Sequence, residues 1–137
     1  MLSSTRVSRA RLREASKREP VELRLIQIND WPPSVNGLYR AINGLYILTK
    51  KARAWYKNNK LMLHPMEGRL GVTIKLYPPD RRRRDIDNYS NAVIDLLTKS
   101  EAWLDDEQVD LLTVSRETVV PKPGKVTIEI WPLQEKT

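Results

Sequence analysis

The sequence predicts an α+β fold: a single mixed or antiparallel sheet with two helices packed on it, in the order β, hairpin, α, β, α, β, β. Three observations lead there. Leu70, Val72, Ile74 and Leu76 alternate at the period of a strand. Tyr89, Ala92, Val93, Leu96 and Leu97 recur at the spacing of one helix face. Asn43-Gly44 lies inside a run of β-prone residues, the signal of a type I′ hairpin.

The first strand is expected over Val21 to Ile28, rich in aliphatic and β-branched residues. Val21, Leu23 and Leu25 share one phase and Ile26 and Ile28 the other, so the strand is either bulged or buried on both faces. Asn29-Asp30-Trp31-Pro32-Pro33-Ser34 ends it, because proline donates nothing to a ladder. The hairpin follows over Tyr39 to Ile47. Thr49 is placed to N-cap a helix running to about Leu63, whose surface carries Lys50, Lys51, Arg53, Lys57 and Lys60. Trp55 and Tyr56 on that helix face either core or nucleic acid. The second long strand stops at Pro78-Pro79, and a helix is expected from Asn88 to Ser100. Leu111 to Val120 and Lys125 to Trp131 read as strands, and Pro121-Lys122-Pro123-Gly124 between them implies a second hairpin.

The chain has 137 residues, enough for one domain with its own core. It has no cysteine, which excludes disulfides and thiolate metal sites. No apolar run approaches the roughly 18 residues of a membrane span, and the start has no secretory h-region, so a cytoplasmic protein is expected. Net charge is +7, which favours a polyanionic partner through counterion release. Residues 1–20 carry six Lys/Arg against two Glu and read as a basic arm outside a domain of residues 21–137.

The densest chemistry is Asp80-Arg81-Arg82-Arg83-Arg84-Asp85-Ile86-Asp87-Asn88. In an extended loop the side chains of Asp85 and Asp87, at i and i+2, point the same way. Two carboxylates that close repel unless protonated, paired or bridged by a cation. Mg²⁺ suits them, since it takes oxygen ligands and is held by one or two carboxylates plus phosphate oxygens. A second acidic pair, Asp105-Asp106, follows the second helix. A helix of about 13 residues is roughly 20 Å long, so Asp106 rejoins Asp85 only if the chain turns back. The strand from Leu111 allows that return if it pairs with the strand ending at Pro78. The competing reading is plain: an Arg run beside Asp is commonly a solvated, internally paired loop, and Asp before a helix is commonly an N-cap.

Three motifs resemble one family. Trp31-Pro32-Pro33-Ser34-Val35-Asn36 with Tyr39-Arg40 is similar to the N-terminal signature of RusA-type Holliday-junction resolvases. The stretch from Pro79 to Asn88, then Asp95-Leu96-Leu97-Thr98-Lys99, then Trp103 to Val109, resembles the catalytic region of the same family. The likeness spans roughly residues 21–132. It implies a homodimeric, Mg²⁺-dependent endodeoxyribonuclease, with Mn²⁺ able to substitute and no small-molecule cofactor. Such enzymes are common in phages and prophages and resolve four-way DNA junctions by paired symmetrical nicks in recombination and repair. By position it makes Asp85, Asp87 and Asp106 the catalytic and metal-binding carboxylates. The family's arginine before the first of these maps onto Arg84, and the run Arg81, Arg82, Arg83 and Arg84 is expected to contact DNA phosphates, with Asn91 beside it.

One position departs. The family pattern has a lysine four residues after the second Asp, where this chain has Asn91. Asparagine hydrogen-bonds a phosphate but cannot neutralise it, so either another cation, Lys51 or Lys99, substitutes or the chemistry is slower. Asp95 is either a further carboxylate of the site or an exposed partner of Lys99. Asn88 either orients a ligand or is a first-turn residue. His64 reads as a surface residue, and Trp31 and Tyr39 either stack on unpaired bases or wedge the loop. Two other functions stay open beside the resolvase: a non-catalytic basic DNA-binding module, and a flap or nicking nuclease of different selectivity.

Overall fold

The computed structural model describes residues 23–134, so the expected arm over residues 1–20 lies outside the described residues. The elements are β1 (Arg24–Ile28), β2 (Tyr39–Ile42), β3 (Leu45–Leu48), α1 (Lys50–Asn59), β4 (Leu70–Tyr77), α2 (Ser90–Lys99), β5 (Val109–Arg116) and β6 (Lys125–Pro132). The class and element order are those expected. The single sheet takes in only four strands, in the order β1-β6-β4-β5. It is mixed: β4 pairs with β5 in parallel, while β6 is antiparallel to both β1 and β4.

Two expectations about pairing need correction. The β2–β3 hairpin forms its own two-stranded sheet. Its turn is the one foreseen, with positive φ at both Asn43 and Gly44, but Leu45, Tyr46 and Tyr39 stay exposed. It is tied down at its base, where the Thr49 hydroxyl donates to the Gly37 carbonyl at 2.7 Å. The last two strands, by contrast, do not form a hairpin. The 121–124 turn reverses the chain, yet β4 lies between β5 and β6. A turn fixes direction, and neighbours are fixed by which strand can be buried on both sides. Val126, Ile128 and Ile130 are all buried, which suits the interior of the sheet, whereas Leu111 and Leu112 of β5 are about half exposed, which suits an edge.

One face of the sheet holds the core. Ile26 and Ile28, Leu70 to Leu76 in alternation, and Val126, Ile128 and Ile130 pack with Ala52, Trp55 and Tyr56 of α1 and Ala92, Val93, Leu96 and Leu97 of α2. Leu23 and Leu25 point the other way and are exposed, so the phase change in β1 marks two faces of an ordinary strand. Trp103 is fully buried and its Nε1 donates to Thr98 Oγ1 at 2.8 Å, which satisfies the one polar atom of a large apolar side chain. Thr49 caps α1, accepting from the Ala52 amide at 3.1 Å. The helix ends at Asn59 and not near Leu63. Beyond it the chain is extended and pairs instead with the segment after α2, through Leu63 to Ser100 and Met66 to Ala102. His64 is exposed there, as expected of a surface residue. No helix of the described residues is long and apolar enough to cross a membrane.

Candidate active site

The segment after β4 is built around one buried cation. Arg84 is only 13% exposed. Its guanidinium donates to Asp80 Oδ1 at 2.8 Å and lies 5.3 Å over the Trp31 ring. Asp80 also accepts from the Arg82 amide at 2.9 Å. These contacts hold the Asp80 carboxyl below the usual carboxylate range, with the Arg84 hydrogen bond as the main cause. The Arg116 guanidinium donates to the Arg84 carbonyl and ties the loop to β5. Arg81 and Arg83 are exposed and make no ion pair among the described residues. The run is thus divided: Arg84 builds the loop, Arg82 reaches Asp80 at only 3.9 Å, and the remaining guanidinium groups face solvent.

Asp85 keeps an extended backbone and opens a 3-10 turn over Ile86–Asn88, but its side chain caps nothing. Asp87 lies inside that turn. Asp85 and Asp87 are therefore not two same-side positions of an extended loop, as expected, because the second is wound into the turn. Hydrogen bonds from Asn88 to the Asp85 carbonyl and from Tyr89 to the Ile86 carbonyl wind the segment, and Ile86 packs against the core. Both carboxylates are exposed, and neither accepts a hydrogen bond or forms an ion pair among the described residues. Ser34, Asn36, Arg83, Arg84, Asp85, Asn88 and Tyr89 line one polar cleft.

The pair Asp105-Asp106 divides into two roles. Asp105 is an N-cap: its carboxylate accepts from the Glu107 amide at 2.9 Å, and Gln108 returns the bond in a capping box. Asp106 is exposed and unpaired among the described residues. Its surroundings are acidic. Burial raises the Asp95 carboxyl, the Tyr56 hydroxyl and Lys99 lower it, and Asp106 raises it again. Tyr56 donates to Asp95 Oδ2 at 3.3 Å, with the Lys99 ammonium 5.3 Å over the Tyr56 ring. Burial and the Asp95 charge push the Tyr56 phenol well above its usual range.

The expected return of Asp106 to Asp85 depended on β5 pairing with β4. The strands do pair, but in parallel, with Leu70 opposite Val109 and Leu76 opposite Arg116. The Asp106 turn, which Arg69 grips through Glu107 at 3.0 Å, therefore stands at the start of β4. The arginine loop stands at its end. Helix α2 runs between them. The structure puts Asp85 and Asp87 on one turn and, separately, couples Asp95 with Asp106. No group of three or more His, Asp or Glu side chains among the described residues is gathered tightly enough to hold a metal ion. Asn91 is exposed on α2. Of the two lysines considered as its replacement, Lys51 lines a groove with Arg82, Arg83 and Arg84, while Lys99 stands by Asp95.

Three features escaped the reading of the sequence. Tyr89 pairs with Trp31 at 5.0 Å between centroids and is not only a helix-face residue. Arg116 joins the site from β5. Asp80 is the counterion that buries Arg84. The helical spacing concealed the first and sequence distance the second. The i, i+4 spacing of Asp80 and Arg84 was a signal for the third.

The family model described as Endodeoxyribonuclease RusA matches residues 30–131. The chain is 38% identical over 106 residues to the crossover junction endodeoxyribonuclease RusA of Escherichia coli strain K12, covering 73% of this chain and 88% of that protein. The protein of the same name from Enterobacteria phage 82 is also 38% identical over 106 residues, with the same coverage. That of Escherichia coli O139:H28 is 34% identical over 112 residues, covering 77% of this chain and 92% of the relative.

Proposed function

This chain belongs to the RusA family of endodeoxyribonucleases, and from that premise we propose that it nicks four-way DNA junctions in pairs, as a homodimer, with Mg²⁺ at Asp85, Asp87 and Asp106. The observation that carries the chemistry is the pair of exposed carboxylates on the Asp85–Asp87 turn, unpaired among the described residues, beside two guanidinium groups equally unpaired among them. An internally paired surface loop would have used those charges on each other, whereas here only Asp80 is so used.

The donor set fits the cation. Mg²⁺ prefers oxygen, tolerates one or two carboxylates, and takes the rest of its shell from water and phosphate. Asp85 and Asp87 supply such oxygens from one turn, whereas Asp106 stands at the other end of β4, so a shared ion requires a rearrangement or the second protomer of the dimer to bring that carboxylate in. When bound, the ion supplies Lewis acidity toward a phosphodiester and lowers the pKa of a water. The protein's own residues do the rest. Arg81 and Arg83 bind phosphates flanking the scissile one. Arg84, fixed by Asp80 and Trp31, orients the loop that bears both carboxylates. Asn91 offers a phosphate a hydrogen bond without charge, and Lys99, beside Asp95, supplies the cation that asparagine lacks. A two-fold dimer presents two equivalent sites to two equivalent strands of a junction.

The test is a synthetic four-way junction, labelled on each strand, incubated with Mg²⁺ or with chelator. Symmetrical nicks that require the metal and spare linear duplex are expected. Equal cutting of duplex and junction would remove the junction selectivity, and no cutting with Mg²⁺ or Mn²⁺ would remove the nuclease.

A further inference from the structure

Beside the acidic turn lies a cavity of about 390 Å³, within the range of small-ligand pockets, which starts at about 300 Å³. Its floor is apolar: Leu76, Pro78, Ile86 and Val119. Its wall is the tilted Trp31–Tyr89 pair with the Arg84 guanidinium 5.3 Å over the indole. Its rim carries Arg81, Arg82, Arg83 and Arg116. Glu117 also lines it, and that carboxylate makes no side-chain bond among the described residues.

These features call for a ligand with two parts. The apolar floor and the aromatic wall fit a flat, uncharged ring, because aromatic faces and guanidinium planes both stack on nucleobases. The guanidinium rim needs an anion within reach of that ring. The free Glu117 carboxylate offers an acceptor to an N–H edge. A hydrocarbon leaves the rim unsatisfied, and a free phosphate leaves the floor uncovered. A nucleotide satisfies both. Arg83, Arg84 and Tyr89 are shared with the polar cleft that holds Asp85, so the cavity opens beside the carboxylate turn.

We propose that this cavity receives one unstacked nucleobase of the DNA strand next to the scissile phosphate, held against Trp31, Arg84 and Tyr89. Paired duplex keeps its bases in the stack, whereas strands at a branch point release them at lower cost. The cavity therefore makes junction binding depend on a base that can leave its helix. This inference rests on the nuclease reading above.

The experiment is a scan of junctions bearing one abasic site at each nucleotide around the branch. Binding is measured to the unaltered protein in chelator, where no cutting intervenes. One abasic position beside the cleavage site should raise Kd about tenfold, the loss of one base-stacking contact, while its neighbours stay close to the parent. Val119→Trp, which fills the cavity from the partly exposed end of its floor, should bind the parent junction about tenfold more weakly and show no further loss at that position. A flat scan overturns the proposal without needing any variant. So does a position-specific loss that persists in a folded Val119→Trp protein, since the base is then read elsewhere. The nuclease reading is judged separately, by whether unaltered protein nicks the parent junction when Mg²⁺ is added.

Discussion

The Arg84 guanidinium sits 2.8 Å from Asp80 Oδ1, four residues earlier, and shields the base of a loop whose other arginines face solvent. The pair fixes the loop, and the loop sets where Asp85 and Asp87 stand. Stability should report on it through pH. The Asp80 carboxyl is held below its ordinary value of about 3.9. A depressed carboxylate contributes stability that is fully present above the unfolded pKa and lost as pH falls through the folded one. Asp80→Asn should therefore lower Tm at pH 7, and the gap to the parent should close as pH falls below the ordinary carboxylate range. Thermal melts across that range check it. A gap that does not change with pH would mean that Asp80 acts by shape and not by charge.

Asp87→Asn keeps the size of the side chain and removes its charge. If Asp87 holds the cation, cutting should fall on the order of a thousandfold, the rate equivalent of several kcal/mol of lost charge stabilisation. Junction binding in chelator should stay within a factor of about two, because phosphate contacts dominate affinity. Nicking rates and gel-shift titrations separate the two quantities. Loss of binding together with cutting would reassign Asp87 to docking or folding.

Neighbouring aspartates give a sharper contrast. Asp105 caps the 3-10 turn and Asp106 caps nothing. Asp105→Ala should cost about 1 kcal/mol of stability, as removal of an N-cap does, and Asp105→Asn should restore it, since asparagine caps as well. Both should still nick junctions. Asp106→Asn should leave the melting curve in place and remove cutting. Chemical denaturation and the nicking assay, run on all three, decide whether one acidic dipeptide holds two unlike roles.

Much of this was legible in the chain. The β4 alternation, the Asn43-Gly44 turn and the Thr49 cap are local signals, and each formed what its residues dictate. The Asp80–Asn88 motif and its order relative to Trp103–Val109 pointed to the family. What stayed hidden was non-local. Pro121 to Gly124 promise a reversal, but nothing within them says that β4 separates β5 from β6. The parallel sense of β4 and β5 comes from α2, which carries the chain back along the sheet between the two strands. That sense puts Asp106 beside Asp95 and Arg69 rather than beside Asp85. Sequence spacing named the carboxylates, and only topology says which of them are neighbours.

Asp95 tests whether that second acidic group serves the reaction. Its carboxyl is raised by burial, so its charge is a cost to the folded state at neutral pH. Asp95→Asn should leave Tm unchanged or higher. If Asp95 helps draw a divalent cation toward Asp106, the Mg²⁺ midpoint for nicking should rise about tenfold, as when an outer partner of a metal ligand is lost. Lys99→Met should act in the opposite direction on that midpoint, by removing a cation from the same field. Midpoints unmoved by either substitution would make the Tyr56–Asp95–Lys99 contact a packing feature of the α1–α2 interface alone.

The arginine run makes unequal predictions for residues that look alike in sequence. A guanidinium that meets a phosphate releases counterions and adds about 0.9 to the slope of log K against log salt. Arg81 and Arg83 are unpaired among the described residues and free to do this. Arg84 is engaged by Asp80 and Trp31. Arg81→Ala and Arg83→Ala should each lower the slope by about 1 with little change in Tm. Arg84→Ala should lower Tm and change the slope least, because it removes a structural ion pair and not a phosphate contact. Deleting residues 1–20 should lower the slope as well if that basic segment touches DNA, and an unchanged slope would make it a bystander. Gel shifts between about 50 and 200 mM salt measure all of these. Equal slopes for Arg81→Ala and Arg84→Ala would mean that Arg84 leaves Asp80 when DNA arrives, and the loop would then be a switch rather than a rigid mount.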